Sequence, residues 1–216
     1  ITGLGGTSPT ITTLTIQGTG ALVVDAGTLT VSGVTTIGSS GAANLTVESG
    51  ATFASTSTAS GAYVFGGTGS SITNNGTFTC TGGNGSGGTT PIFQNNGTVT
   101  FTGSQQSFNS AVAVIQGDNA VLNLNSSSTT PFGGSSTLNA SATDNTVTYG
   151  ASGSGMRVTT YYNLTISNPN GNWNGGVSTI NGTLTFGGTG NMGNVSGFTL
   201  NGNLAKTGSG TITCNA

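Results

Sequence analysis

The chain has 216 residues, of which only two are basic and four are acidic; it has no histidine and a formal net charge of −2. Acid–base catalysis needs titratable groups placed together, and nucleic acids or anionic membranes need clustered Lys and Arg. The composition therefore predicts a protein that is not an enzyme, with no catalytic residues, cofactor or metal site and with no nucleic-acid partner.

The remaining composition predicts a folded all-β protein. Glycine contributes 40 residues, yet 32% of the chain is hydrophobic and the mean hydropathy is +0.06, which is more apolar than a disordered chain. Thr and Val favour strands, whereas the strong helix formers are scarce. No run approaches the ~18 apolar residues of a membrane span, so we expect no membrane insertion.

One short phrase recurs along the chain, in which a turn residue is followed by alternating polar and apolar residues. It occurs at residues 27–31, 75–80, 96–101, 181–186 and 210–214, with degenerate copies at 13–16, 44–47, 123–124, 137–138, 146–149, 163–166 and 198–200. Further apolar segments lie between the copies, at residues 21–24, 34–37, 62–65 and 111–115. Alternation with period two is typical of half-buried strands.

The spacing of the phrases predicts a β-solenoid, or parallel β-helix. Leading apolar residues such as Leu14, Leu29 and Leu45 follow one another at steps that fit one coil better than a tight hairpin. We expect a single elongated domain over residues 1–216, with two strands and two corners in each coil of about 14 to 20 residues. The Asn-Gly pairs would then supply the positive φ angles that sharp corners need.

An antiparallel β-sandwich remains the alternative fold, because Asn-Gly is also a strong hairpin signal. In a sandwich of the pilin type, the fold would be completed by a strand donated by a neighbour. Residues 1–16 would then serve as the N-terminal pairing or donor strand.

Two neighbouring segments, residues 161–166 (YYNLTI) and 179–186 (TINGTLTF), carry a resemblance to a known group. They resemble the repeats of large bacterial secreted surface proteins and adhesins of the parallel β-helix type. The resemblance covers residues 160–214 well and residues 10–105 loosely. It implies a secreted, elongated scaffold without catalytic activity.

The two cysteines, Cys80 and Cys214, occupy the inward position that Phe101 and Phe186 fill in matching phrases. Each is predicted to be a small buried side chain or a disulfide partner. In a solenoid they would lie about eight coils apart, or ~40 Å, which is too far for an intrachain disulfide. A sandwich would permit the bond.

Several polar and aromatic residues are candidates for binding or modification. Asp118 and Asp144 each precede an asparagine, which is typical of capped turns, although only their separation in space can decide whether they form a glycosidase pair. Tyr161, Tyr162 and Trp173 could stack on a sugar, close an end of the core or contact a neighbouring subunit. The candidate glycan acceptors are the Asn-X-Ser/Thr residues Asn44, Asn75, Asn84, Asn96, Asn125, Asn139, Asn163, Asn181 and Asn194.

Outward Thr-X-Thr pairs, such as Thr77 with Thr79, resemble the ice-binding face of antifreeze solenoids. Ice binding is therefore an alternative function, although the irregular spacing of the phrases predicts that such pairs do not align.

The preferred hypothesis is a structural subunit of an extracellular or cell-surface filament. Few charges or prolines protect the strands near the two ends, so we expect copies of the chain to pair head to tail. The proposed contact residues are Ile11, Thr13, Leu14 and Ile16 at one end and Thr211, Ile212, Thr213 and Cys214 at the other. A stalk segment of a larger surface adhesin is the alternative, and glycans or other cell-surface material are further candidate partners.

Overall fold

The computed structural model describes residues 8–85, 87–109, 111–128, 130–150, 156–157, 159–167, 171–172, 178–189, 192–195 and 198–214. The described residues form strands, turns and loops. They include no helix that is long and apolar enough to span a membrane. Every strand pair within these described ranges is parallel, so the fold is the predicted β-solenoid, and the antiparallel sandwich is wrong.

The strands follow one another around the solenoid axis. In chain order they are β1 (Thr10–Ile11), β2 (Leu14–Ile16), β3 (Ala21–Val24), β4 (Thr28–Val31), β5 (Thr35–Ile37), β6 (Asn44–Val47), β7 (Thr52–Ser55), β8 (Tyr63–Phe65), β9 (Ser71–Asn74), β10 (Thr77–Cys80), β11 (Asn84–Gly85), β12 (Ile92–Asn95), β13 (Thr98–Phe101), β14 (Ala113–Gln116), β15 (Val121–Leu124), β16 (Thr137–Asn139), β17 (Thr146–Tyr149), β18 (Thr160–Tyr161), β19 (Asn163–Ile166), β20 (Gly171–Asn172), β21 (Ser178–Ile180), β22 (Thr183–Phe186), β23 (Met192–Val195), β24 (Phe198–Leu200), β25 (Asn203–Lys206) and β26 (Ile212–Cys214).

Three sheets form the faces of the solenoid. Sheet A has ten strands, in the order β1-β4-β7-β10-β13-β15-β17-β19-β22-β25. Sheet B has the order β11-β8-β5-β2, and sheet C has the order β16-β14-β12-β9-β6-β3. Toward the C-terminal end the other two faces consist of the sheets β18-β21-β24 and β20-β23-β26.

A coil therefore contains up to three strands, not the two that the sequence suggested. The sequence separation between paired residues of sheet A ranges from 17 to 25 positions. It is 17 for Val147 and Leu164 and 25 for Thr52 and Thr77. The steps from Leu14 to Leu29 and from Leu29 to Leu45 join different faces, in sheets B, A and C. Each of these steps is therefore only a fraction of a coil. The sequence does not reveal this, because strands on all three faces carry the same alternating pattern.

The core is built from the inward residues of the three faces. Most strands of sheets A and C alternate half-buried and buried positions, as alternation of side chains across a strand requires. Aromatic rings fill the middle coils: Phe78 stacks on Phe53 at 5.2 Å between ring centroids and meets Phe93 edge-on at 5.2 Å. Such pairs add stability beyond the apolar area that they bury.

The corners between sheets C and A contain a ladder of amides inside the fold. The buried side chains of Asn74, Asn95 and Gln116 lie on successive coils and hydrogen-bond to one another. Asn74 and Asn95 also donate to backbone oxygens on the sheet A strand of the next coil, that of Thr98 at 3.1 Å and that of Val121 at 3.0 Å. The ladder therefore ties each corner to its neighbour.

The glycines of the Asn-Gly pairs at the ladder corners serve a purpose other than the predicted one, whereas Gly27 and Gly50, at other corners between sheets C and A, have positive φ angles of 66° and 82°. Gly76 and Gly97 of two Asn-Gly pairs are absent from the described glycines with positive φ. A Cβ atom on Gly97 would instead collide with the backbone oxygen of Gly76 on the preceding coil. The requirement for glycine at this corner thus arises from the close approach of stacked coils.

Candidate functional site

The outer surface of sheet A carries two columns of side chains. Because the strands of sheet A pair in register, outward residues two positions apart on one strand lie beside their equivalents on the next. Threonine fills most of these positions from β4 to β22: Thr28, Thr52, Thr77, Thr98, Thr146 and Thr183 in one column, and Thr30, Thr79, Thr100, Thr148, Thr165 and Thr185 in the other. We call this surface the threonine face.

The predicted misalignment of the Thr-X-Thr pairs is wrong. The irregular spacing in sequence comes from loops of unequal length at the corners, whereas the sheet A strands pair directly, Thr77 with Thr98 and Thr79 with Thr100. Interruptions are few, and those from β4 to β22 are Ala54, Val121, Asn123 and Asn163. The threonines of the face are all half-buried between their neighbours.

Threonine is concentrated on this face and not on its equivalent in sheet C. The outward columns of sheet C are mixed and read Ala21, Asn44, Ser71, Ile92, Ala113 and Thr137, and Val23, Thr46, Thr73, Gln94, Ile115 and Asn139. A general preference of strands for threonine would act on both sheets alike. The difference therefore indicates a requirement specific to the outer surface of sheet A.

The four carboxylates, which are far apart in sequence, lie at one edge of the solenoid. Asp25, Glu48, Asp118 and Asp144 all fall in corners between a sheet C strand and the following sheet A strand. Sequence reasoning missed this arrangement, since it depends on the coil assignment. Glu48 accepts a 3.2 Å hydrogen bond from Asn75, one coil away.

The exposed Asp118 contacts a neighbouring coil. Its Oδ1 accepts a 2.8 Å hydrogen bond from the backbone nitrogen of Thr143. Asp144 is exposed and has a φ of 58°. Among the residues that the structure describes, no group of three Asp, Glu or Cys side chains is arranged to hold a metal ion.

The C-terminal end of sheet A exposes residues of the core columns. Leu204 of β25 pairs in register with Leu184 of β22, yet Leu204 is 57% exposed whereas Leu184 is fully buried. Lys206 is exposed and occupies the column in which Phe186 is buried. Within the described chain, sheet A ends at β25 with one edge unpaired.

The opposite end of the described solenoid is formed by the residues that the sequence proposed for self-association. Ile11 lies in β1 and Leu14 in β2, and both are half-buried against the core. Thr13 is exposed and Ile16 is buried. The described part of the proposed donor segment thus belongs to the solenoid itself.

Lys206 places a charge on the last strand of sheet A in the described part of the chain, and a charge on an edge strand opposes strand addition. Pro9, which precedes β1, leaves the free edge open, because its carbonyl accepts a hydrogen bond from the backbone nitrogen of Thr30 and its own nitrogen faces the same side, toward β4. At the far end, Thr211 is exposed. Ile212, Thr213 and Cys214 form β26, which pairs with β23, and their side chains lie outside the described part.

Tyr161 closes part of the core and does not present its ring to a ligand. Its side chain is fully buried, its hydroxyl lies 3.1 Å from the hydroxyl of Tyr149, and it donates a 2.6 Å hydrogen bond to the backbone oxygen of Arg157. Tyr162, next to it, is half-buried. Trp173 lies outside the described residues.

Arg157 is held in place beside this tyrosine pair. Its guanidinium lies 5.8 Å from the ring centroid of Phe132 and donates to the backbone oxygens of Gly133 and Gly134 and to the hydroxyl of Ser136. Through these contacts the single arginine of the chain packs against a corner of the fold.

The candidate glycan acceptors differ in their environment. Asn84 is buried, donates from Nδ2 to the backbone oxygen of Tyr63 at 3.3 Å, and is therefore inaccessible to a glycan in the folded chain. Asn75 and Asn163 are half-buried. The exposed acceptors are Asn44, Asn96, Asn125, Asn139 and Asn181, whereas the side chain of Asn194 lies outside the described part.

Cys80 is a free, buried thiol, and burial raises its pKa to about 12. It lies in β10, and sheet A advances by six strands from there to β25, beyond which β26 carries Cys214. At ~4.8 Å per coil this is roughly 29 Å. The separation is smaller than the sequence suggested, since each coil is longer, but it still prevents an intrachain disulfide.

Comparison with known protein families, with curated proteins and with solved structures found no match to this chain.

Proposed function

We propose that the chain is a non-enzymatic structural element of an extracellular or cell-surface fibre, which lengthens by adding coils at its ends. The observation that carries this proposal is the 57% exposure of Leu204 in a column whose other sheet A members, such as Leu184 and Leu164, are fully buried. A leucine in this position is covered when another coil stacks on β25. The unpaired edge of β25 would form main-chain hydrogen bonds with the added strand.

In the filament version, the added coil belongs to a second copy of the chain. Such a head-to-tail contact does not close on itself, so it propagates. The low number of charges supports the proposal, because copies with a net charge of −2 repel one another weakly. Lys206 can be accommodated if its long side chain carries the ammonium group out to solvent.

The stalk of a larger surface protein is the second candidate, and the same exposed Leu204 supports it. In this version the coil that covers β25 belongs to the same polypeptide. The resemblance of residues 160–214 to the repeats of bacterial surface proteins and adhesins supports secretion in both versions.

Sedimentation and negative-stain microscopy of the purified chain test the proposal. We expect rods longer than one subunit for the parent chain and single subunits for Leu204→Glu. The matched control is Ile92→Glu, because Ile92 is also an exposed apolar residue, at 40%, but lies on the outer surface of sheet C far from the ends. If the parent chain stays monomeric at high concentration, the filament version fails and the stalk remains.

A further inference from the structure

The threonine face has the properties of a binding surface, and its chemistry restricts what it can bind. The outward positions of sheet A from β4 to β22 carry no charged and no aromatic side chain. Protein interfaces depend on buried aromatic and arginine anchors, and sugars stack on aromatic rings. Neither kind of anchor is present on this face.

The face offers a two-dimensional lattice of identical groups. Neighbouring strands are ~4.8 Å apart, and outward residues two positions apart on a strand are separated by ~6.6 Å. Each threonine contributes one hydroxyl, which can donate and accept a hydrogen bond, and one methyl group. The most regular part spans β4, β7, β10 and β13, where Ala54 is the single interruption.

The lattice is rigid before anything binds. Threonine is β-branched and therefore restricted at χ1, and each threonine of the face is half-buried between residues of adjacent coils. Binding to a regular surface would consequently cost little side-chain entropy. The matching partner is a solid with its own two-dimensional repeat of uncharged hydrogen-bonding sites.

We infer that the threonine face binds ice. Hydroxyls fixed in two columns hydrogen-bond to water molecules at lattice spacing, while the methyl groups between them order the remaining water against the surface. This inference is independent of the fibre proposal, since it uses the side of the solenoid and not its ends.

The test compares one threonine substitution on each of two faces of the same coil. Thr77→Lys places a long, charged side chain in the middle of the threonine face, between Thr52 and Thr98. Thr73→Lys makes the same change on sheet C, between Thr46 and Gln94, at a position that is also half-buried. Ice shaping, thermal hysteresis and inhibition of recrystallisation are measured on the folded proteins.

The parent chain and Thr73→Lys are expected to shape ice and to give the same thermal hysteresis, whereas Thr77→Lys loses most of that activity. Circular dichroism verifies that each variant is folded, and Thr98→Lys replaces Thr77→Lys if the latter does not fold. An inactive parent chain, or equal activity of the two variants, overturns the inference.

Two further measurements distinguish other occupants of the same face. If Thr77→Lys, but not Thr73→Lys, abolishes a concentration-dependent side-by-side association in sedimentation, the face binds a second copy. Selective loss of binding to crystalline cellulose would assign it to a polysaccharide surface. Either result without an effect on ice overturns ice binding.

Discussion

The side-chain nitrogen of Asn74 donates a 2.8 Å hydrogen bond to the side-chain oxygen of Asn95, which lies one coil further along inside the solenoid. Asn95 in turn donates to Gln116 at 2.9 Å on the following coil. All three side chains are buried, so each amide depends on its neighbours for hydrogen bonds that water cannot replace. This ladder holds adjacent corners in register.

Replacement of Asn95 by alanine is expected to destabilise the fold by roughly 1–3 kcal/mol, because it leaves buried partners of the ladder unsatisfied. The matched control is Asn96→Ala, since Asn96 is the next residue but is exposed, and its 2.9 Å hydrogen bond to Asn75 lies on the outside. We expect a change within about 0.5 kcal/mol for the control. Urea unfolding measures both, and equal losses would refute a special role for the buried ladder.

The corner at Gly97 is expected to reject any side chain. A Cβ atom there would collide with the backbone oxygen of Gly76, which belongs to the stacked coil and cannot rotate away. Gly97→Ala should therefore cost about 1–3 kcal/mol, as for overpacked cores. At Gly61 a Cβ atom would only make an ordinary 3.6 Å contact with Val64, so Gly61→Ala is the control. A stable Gly97→Ala variant would show that the coils are less closely stacked.

The aromatic core of the middle coils is expected to dominate stability. Phe78 is fully buried and contacts the rings of Phe53, Phe93 and Tyr63. Phe78→Ala should cost about 3–5 kcal/mol, because it removes a large side chain from a packed environment. Ile92→Ala, at an exposed apolar position, should cost about 0.5 kcal/mol or less. Comparable urea midpoints for both variants would contradict this assignment of the core.

The sequence was sufficient to predict the fold class, because alternation and repetition are local properties. Leu29 and Leu164 lie in phrases that alternate polar and apolar residues, and both are buried as predicted. The assignment of phrases to faces could not be predicted, since strands on all three faces present the same pattern. This is why the step from Leu14 to Leu29 was mistaken for a complete coil.

The candidate surfaces depend on that assignment and were therefore harder to predict. The threonine face appears only when Thr77 is placed beside Thr98 through the true register. Likewise, the sequence leaves sugar stacking, closure of the core and a subunit contact open for Tyr161, whereas in the structure its ring is buried and its hydroxyl bonds to the backbone of Arg157. Burial of a tyrosine depends on contacts with residues on other coils, which no local pattern reveals.

Alkaline pH is expected to unfold the protein, because burial raises the pKa of several acidic groups. The pKa of the Cys80 thiol rises from 9.0 to about 12 and that of Tyr149 from 10.0 to about 12, and burial also holds the pKa values of Tyr63 and Tyr161 well above the ordinary value. Above the ordinary pKa values the unfolded chain releases protons that the folded chain retains. Each raised pKa therefore contributes stability that is fully present below the unfolded pKa and lost as the pH rises toward the folded one.

We therefore expect the urea midpoint, measured with a reducing agent present, to begin to fall above about pH 9, where unfolded cysteine ionises, and to fall more steeply above about pH 10 with the tyrosines. Cys80→Ala should remove the first part of this decrease and keep the second, whereas Tyr149→Phe should reduce only the second. Tyrosinate absorbance provides an independent measurement, because the buried tyrosines should ionise together with unfolding. Their ionisation at the ordinary pKa in a chain that stays folded would contradict the burial that raises these pKa values.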